Sequence, residues 1–535
     1  MRISGRKISF LIIGLVVVAL MTTDVLIHVG GLSVWGLKQC LAWSAFILAP
    51  AFILGHFARW FYVPVLCYVL FIEVVNIYIK SAFNMSLGGD WLIIAMNSNK
   101  AEVLNFIRGM LCFRVIIAII VVLGLFVGIC VLTWKARFPK LHWWSPFIAL
   151  IMLLPVVFLD VVIVPWRDGL FCMTFTHIIR QTKRCHDSFA GLMRAVNHPS
   201  LPEKLSLLTG DEKPPLGVII IGESATRNHW SLYGYKRRDT TPCLNAISNE
   251  LYVFKDVVGC WSATADACRY LLTDTVIEDE SLASCTLPDV YRRAGYDCVF
   301  YTMSPEPGTG SYDVLDALFR TCSTNVYLNS RDILHPRLDD VIVPLFKKEV
   351  VMRRAETHPS VLFFQLGGCH YPYERWYPDS ENVFGAGSGQ GAVHYDNAVR
   401  FDDRIIAEML SIVKQEDRPS FVFYISDHGE TPDSSHWRNF PDRDLWELPM
   451  FIWYSPKYIK AYPKVVERTE AAVNLPLQSD QLFFGLVSMA RINGAEIPSY
   501  STALDFLSYD FKPRTKRLVL KKRFAYRYDG GRMLK

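Results

Sequence analysis

Five long apolar segments crowd the first 165 residues, near 8–23, 33–55, 59–79, 113–134 and 145–165. Each approaches the roughly 20 residues a helix needs to cross about 30 Å of hydrocarbon, so the spacing predicts five membrane spans. An odd number of spans puts the two ends of the region on opposite sides of the bilayer, and the basic residues say which side is which. Arg2, Arg6 and Lys7 precede the first segment, Arg59 stands between the second and third, and Lys135, Arg137 and Lys140 lie between the fourth and fifth. All three places are then cytoplasmic, and everything after Trp166 lies outside. A basic start followed by Ile8–Thr23 also suits a secretory signal. No small-residue cleavage site follows it and further apolar segments do, so the first span is expected to be retained.

Between the third and fourth segments, Ile79–Phe113 holds enough apolar residues for two interfacial helices on the outer side. Ser98 and Glu102 share a face there, which an ordinary solvated helix also explains. Asp24, Glu73 and Asp160 fall near outer span ends and are placed at the interface. Residues 166–213 read as amphipathic linker helices broken at Asn197-His198-Pro199, with Asp211 to Pro215 marking the boundary. From 214 to 535 short apolar runs alternate with helical stretches. Strands are expected near 217–221, 297–302, 361–366, 420–425 and 449–454, and helices near 265–274, 286–294, 313–321, 395–416 and 478–491. Such alternation predicts an α/β domain with a mostly parallel sheet covered by helices on both faces.

Two of those strands end in metal-binding residue types. Gly217–Ile221 leads to Glu223, and Phe421–Ile425 leads to the adjacent Asp427 and His428. Strand carboxyl ends are where α/β sheets place their chemistry, and an oxygen and imidazole set suits zinc. Thr264 opens a helix-forming stretch after Val257-Val258. A hydroxyl at a helix N-terminus is positioned for phosphate chemistry, but a threonine there also reads as a plain cap, and Ser262 is the alternative nucleophile. His370 and His436 follow further strand-like runs, and a surface histidine is the plain reading of each. His229, His394 and Tyr395-Asp396-Asn397 are read as structural, the last as a helix start. The thirteen cysteines show no zinc-finger spacing, and nine of them fall after residue 170, where export would favour disulfides. A net charge of +5 with no basic-aromatic stripe argues against nucleic acid.

The Gly222-Glu223-Ser224 turn, the run Ser231-Leu232-Tyr233-Gly234-Tyr235 with Thr240-Thr241-Pro242 after it, and Ser426-Asp427-His428-Gly429-Glu430 together resemble the bacterial phosphoethanolamine transferases. These are membrane enzymes of the alkaline phosphatase and sulfatase superfamily, and the resemblance is strongest to the subgroup that modifies the lipopolysaccharide inner core. It implies an inner-membrane protein whose periplasmic domain moves phosphoethanolamine from phosphatidylethanolamine to lipopolysaccharide, on a core sugar or lipid A, through a covalent threonine intermediate. By the same resemblance Thr264 is the nucleophile, and Glu223, Asp427, His428 and Thr264 hold one zinc ion. His370 and His436 bind substrate phosphate or a second metal, and Cys260 pairs with Cys268. Many relatives read Cys-Gly-Thr-x-Thr where this chain has Trp261 and Ser262 after Cys260. The expected partners are the donor and acceptor lipids and the bilayer, with the chain a monomer. A phosphoglycerol transferase of the same superfamily is the nearest alternative, and a catalytically inactive membrane-tethered sensor is the alternative from another class. No Cys-x-Pro-x-Arg signature occurs, which argues against sulfatase activity. The basic tail, Lys512 to Arg527, suits either an anionic surface or plain solvation.

Overall fold

The computed structural model describes residues 12–23, 34–83, 113–135, 138, 141–157, 189–209, 213–278, 283–307, 311–329, 336–354, 358–387, 390–432, 442–514, 516–519, 526–529 and 532–534. They fall into two compact units, divided between Cys185 and His186.

In the first unit every expected span meets a helix: 12–23, Val34–Leu48 followed by Pro50–Leu54, Ala58–Phe83, Phe113–Lys135 and Ser145–Val157. Pro50 has no N–H to continue the second helix, so that span is broken there and restarts with proline in a first-turn position. Ile13, Val17 and Met21 pack with Trp43, Ile47 and Tyr62, and the Tyr62 hydroxyl donates to Ile47 O at 2.7 Å. Other large apolar side chains face outward, among them Leu123, Phe126, Leu150 and Ile151. Contiguous outward apolar surface is what water penalises and lipid accepts. Ala58–Val75 is the one described window long and apolar enough to cross a membrane by itself; the other apolar helices are shorter. Ser98, Glu102, Asp24 and Asp160 lie outside the described residues, as does most of 166–213.

The second unit is built on a seven-stranded sheet. Its chain carries β1 (Leu216–Gly222), β2 (Tyr252–Val253), β3 (Val257–Val258), β4 (Asp297–Pro305), β5 (Thr324–Asn329), β6 (Ser360–Gln365), β7 (Ser420–Ser426), β8 (Met450–Tyr454) and β9 (Leu477–Gln478). The order is β2-β8-β7-β1-β6-β4-β5, with β3 and β9 paired apart. From β7 to β5 every pairing is parallel. β8 alone runs the other way, antiparallel to both β7 and β2. The sheet is therefore mixed, with the expected parallel centre.

Both faces are buried, as a parallel sheet requires. Along β1, Ile219 and Ile221 join Phe363, Phe423 and the helices Leu287–Arg293 and Leu482–Met489 on one side. Val218 and Ile220 join Phe364, Tyr424 and the long helix Gly391–Val413 on the other. The five expected strands are all present within about three residues of their expected bounds. β5 and the helix Ile342–Met352 were not expected. Thr-Asn-Val-Tyr-Leu-Asn holds only Val-Tyr-Leu as a nonpolar run, flanked by polar residues at a sheet edge, while Pro344 interrupts the helix pattern.

Candidate metal centre

Strands β1 and β7 are neighbours in a register that sets Gly222 beside Ser426, so the residues after each strand emerge together at the carboxyl edge. There Glu223, Asp427 and His428, all buried, bring one donor atom each within 4.8 Å of one another. His428 Nε2 lies 3.6 Å from Glu223 Oε1 and 3.6 Å from Asp427 Oδ2. Thr264 Oγ1 donates to the Glu223 carboxylate, 3.2 and 3.3 Å from its two oxygens. These separations approach the edge of about 3.3 Å that a tetrahedron has when its bonds are zinc-like, at about 2.0–2.1 Å.

Thr264 is the first residue of the helix Thr264–Leu272, whose N-cap is Ala263, with no side-chain cap bond. A capping threonine would stand one position earlier and accept from its own helix. The hydroxyl instead reaches across to Glu223, which excludes the capping reading. Ser262, the alternative, is buried nearby and is not among the groups bonded to Glu223.

Three residues to which the sequence alone assigned no role at the site, Ser224, Gln365 and Tyr395, hold the cluster in place. Ser224 has φ of 54°, a region few non-glycine residues enter. That turn aims its N–H at Asp427 Oδ1, 3.0 Å away, and its hydroxyl at Glu223 Oε1, 2.8 Å away. Gln365, the last residue of β6, donates from Nε2 to Glu223 Oε2 at 3.2 Å. The Tyr395 hydroxyl donates to Ser224 O and accepts from Thr226 N–H, both at 2.9 Å. At Gly222 a Cβ would strike the Tyr424 hydroxyl, so a side chain there would have to displace Tyr424.

The charges in this pocket are unbalanced. Burial pushes the Glu223 carboxyl up to about 8, the Asp427 charge adds to that, and His428 offsets part of it. At His428 burial opposes the charged form, but the Asp427 and Glu223 charges outweigh it and raise the imidazole above its ordinary value. Asp427 Oδ2 is buried and has no hydrogen-bond donor among the described residues. A buried carboxylate oxygen with no donor is costly unless a cation meets it, and two carboxylates, an imidazole and a hydroxyl form a donor set that fits a divalent metal.

A pH dependence follows. With no metal, the folded Glu223 carboxyl keeps its proton up to about 8, whereas its ordinary value is 4.5. The folded state then binds more protons than the unfolded one across that interval, so stability falls as pH rises through it. Thermal unfolding of chelated protein is expected to show this decline between about pH 4.5 and 8, and zinc is expected to remove it. A midpoint independent of pH in chelator would contradict this account.

The remaining expected residues are placed less centrally. β6 continues through Gly367, Gly368 and Cys369 to His370, and Cys369 N–H donates to Glu223 O at 3.2 Å. His370 itself stands outside the group of three residues that could hold a metal. It is half-buried, with Nδ1 2.7 Å from Tyr371 O. His436 lies outside the described residues. Cys260 and Cys268 are both free thiols. Cys260 packs with Tyr270 and Ile277 while Cys268 turns into the main core, so the expected pairing is not made. The helix expected to start at Tyr395 begins at Gly391, which moves Asp396 into its second turn. There it takes His229 Nδ1 at 2.6 Å on one oxygen, and Tyr235 at 2.7 Å with Arg238 at 2.5 Å on the other.

Comparison with known proteins places this geometry. The sulfatase family model matches residues 215–487. Phosphoethanolamine transferase EptC of Escherichia coli strain K12 is 28% identical over 279 residues, covering 48% of each chain. Phosphoethanolamine transferase CptA of Salmonella typhimurium is 28% identical over 278 residues, covering 47% of each. The chain thus spans about half the length of these curated relatives. Among solved structures, the zinc complex of the C-terminal periplasmic domain of EptC from Escherichia coli is 24% identical with a TM-score of 0.53, covering 63% of this chain and 96% of that one. The integral membrane lipooligosaccharide phosphoethanolamine transferase A of Neisseria meningitidis is 17% identical with a TM-score of 0.63, covering 94% of this chain and 98% of that one. Both likenesses are of fold.

Proposed function

Since the chain belongs to the sulfatase family of the alkaline phosphatase superfamily and matches curated phosphoethanolamine transferases, we propose that it transfers phosphoethanolamine from phosphatidylethanolamine to lipopolysaccharide, on a core sugar or lipid A. One observation carries the reading: the Thr264 hydroxyl leaves its own helix uncapped and meets the buried carboxylate of Glu223.

Thr264 Oγ1 forms a bond to the donor phosphorus as the bond from phosphorus to the diacylglycerol oxygen breaks. The threonine proton passes to a neighbouring base and the departing oxygen takes one up, leaving a phosphoethanolamine diester on Thr264. An acceptor oxygen then attacks the same phosphorus, and Thr264 leaves with its proton restored. The N–H groups and dipole at the helix start favour the phosphate at both steps. His370 and His436 are proposed to anchor that phosphate or carry protons. Glu223, Asp427, His428 and the Thr264 oxygen would hold one zinc ion, which when bound lowers the hydroxyl's pKa and neutralises charge on the phosphoryl group. The imidazole in the set favours zinc over hard cations that prefer all-oxygen ligands, and a second metal near His370 is the alternative arrangement.

The five apolar helices are proposed as membrane spans of residues 1–165, joined by an amphipathic linker, 166–213, to a periplasmic catalytic domain, 214–535. The chain is proposed to act as a monomer in the bacterial inner membrane, the compartment that holds the donor lipid.

Donor identity is tested by supplying phosphatidylethanolamine and phosphatidylglycerol, each labelled in its head group, with purified lipopolysaccharide. Label is expected in lipopolysaccharide from the ethanolamine lipid alone. Transfer from the glycerol lipid alone would make the protein a phosphoglycerol transferase, and transfer from neither would favour the inactive sensor.

A further inference from the structure

Beneath the turn that leads to His370 lies a second acidic pair, Asp339 and Asp402, which the reaction does not use. Asp339 accepts from Gly367 N–H at 2.8 Å and from Gly368 N–H at 2.7 Å, one on each carboxylate oxygen. Gly368, at φ +40°, has no room for a side chain: a Cβ would stand 2.7 Å from Asp402 Oδ2 and 3.2 Å from Glu223 O. The glycine is thus a spacer one backbone thick between Asp402 and the main chain of Glu223. The next residue, Cys369, ties its N–H to that same Glu223 carbonyl.

Asp339 and Asp402 are 1% and 2% exposed and hydrogen-bonded to each other. Asp340 and Asp403 add further negative charge around them. Two carboxylates in contact in a dry interior cannot both stay ionised. Asp339, with two backbone donors, is the better anion. Asp402 brings no comparable donors, and its Oδ1 has no partner among the described residues.

We propose that Asp402 is a positioning residue that acts as a neutral carboxylic acid: it donates to the Asp339 carboxylate, and the pair locks the Gly367-Gly368-Cys369 turn against Glu223, fixing that ligand's approach to Thr264. The electrostatics of the pair agree. Burial and then the Asp339 charge push Asp402 well above the ordinary carboxyl range, while burial raises Asp339 only to about 6 because the two glycine N–H groups oppose it.

A neutral acid has a neutral isostere, so the test is an asymmetry. In the full chain, purified in detergent, Asp402→Asn keeps a donor for Asp339 and is expected to retain zinc affinity within about threefold of wild type. Asp402→Ala, which removes the donor, and Asp339→Asn, which turns an amide on the glycine N–H groups, are expected to weaken zinc roughly 10–100-fold, the usual cost of losing support behind a ligand. If Asp402→Asn falls as far as Asp402→Ala, or if Asp402→Ala binds zinc like wild type, the proposal is wrong. The zinc readout rests on the metal reading above, so a second one does not: the infrared difference spectrum of wild type minus Asp402→Asn at pH 7 is expected to show the carbonyl band of a buried protonated acid, the protonated Glu223 common to both cancelling. Wild type that binds no zinc but shows this difference band would overturn the metal reading and keep the acid pair; absence of the difference band would overturn the pair.

Discussion

Thr264→Ala is expected to reduce phosphoethanolamine transfer by at least about 10³-fold while leaving metal binding within about tenfold of wild type. Removing a covalent nucleophile costs several orders of magnitude in enzymes of this kind of chemistry, because the remaining groups still bind but nothing forms the intermediate. The metal survives because three ligands, Glu223, Asp427 and His428, remain after the methyl replaces the hydroxyl. Thr264→Ser keeps the oxygen at the same helix start and is expected to retain measurable transfer. Ser262→Ala is expected to be nearly silent, since the Glu223 carboxylate bonds the hydroxyl of Thr264. A steady-state assay with metal analysis on each variant checks all three outcomes. Loss of transfer in Ser262→Ala alone would move the nucleophile to that residue.

Glu223→Gln is expected to act the other way round, removing metal first and activity in consequence. The carboxylate is the hub of the pocket. It takes hydrogen bonds from Ser224, Thr264 and Gln365 and lies 3.6 Å from His428. An amide in its place subtracts a charge and turns an N–H₂ toward groups that donate, so zinc affinity should fall by more than the roughly 10–100-fold typical of supporting residues. The loss has a pH counterpart in wild type. Zinc must displace the proton that Glu223 holds up to about 8, and at lower pH also the proton on the raised His428 imidazole, so affinity should drop at least about tenfold for each pH unit below about 8. Competition with a chelator across pH 5 to 9 measures it. An affinity flat over that range would mean the Glu223 carboxyl is not protonated when metal is absent.

How much of this could be read before the fold was known depends on what kind of signal each residue gives. Glu223, Asp427 and His428 were legible because each ends a short apolar run, and a parallel sheet delivers such residues to one edge whatever the details of its order. Whether Thr264 caps or attacks was not legible, because the two roles differ by one position in backbone geometry and not in residue type. Gln365 gave no signal at all: it closes an apolar strand, and only the register of β6 against β1 brings it beside Ile221 and within reach of Glu223. Ser224 sits in the recognised motif, but its left-handed backbone, which aims both its groups at the carboxylates, is a property of the folded turn. Asp339 and Asp402 are 63 positions apart in sequence, and nothing marks either until the turn at Gly368 brings them into contact with it. The Cys260 pairing failed for the complementary reason. Short spacing suggested contact, but a helix start lies between the two residues and sends their side chains into different clusters.

The central claim is that Thr264 carries the phosphoryl group between donor and acceptor. Intact-mass measurement of the zinc-loaded protein, incubated with phosphatidylethanolamine and no acceptor, tests it most directly. Wild type is expected to gain the mass of one phosphoethanolamine and to lose it when lipopolysaccharide is added, while Thr264→Ala gains nothing. An unmodified wild type that still completes transfer, or an alanine variant carrying the same adduct, would contradict the account.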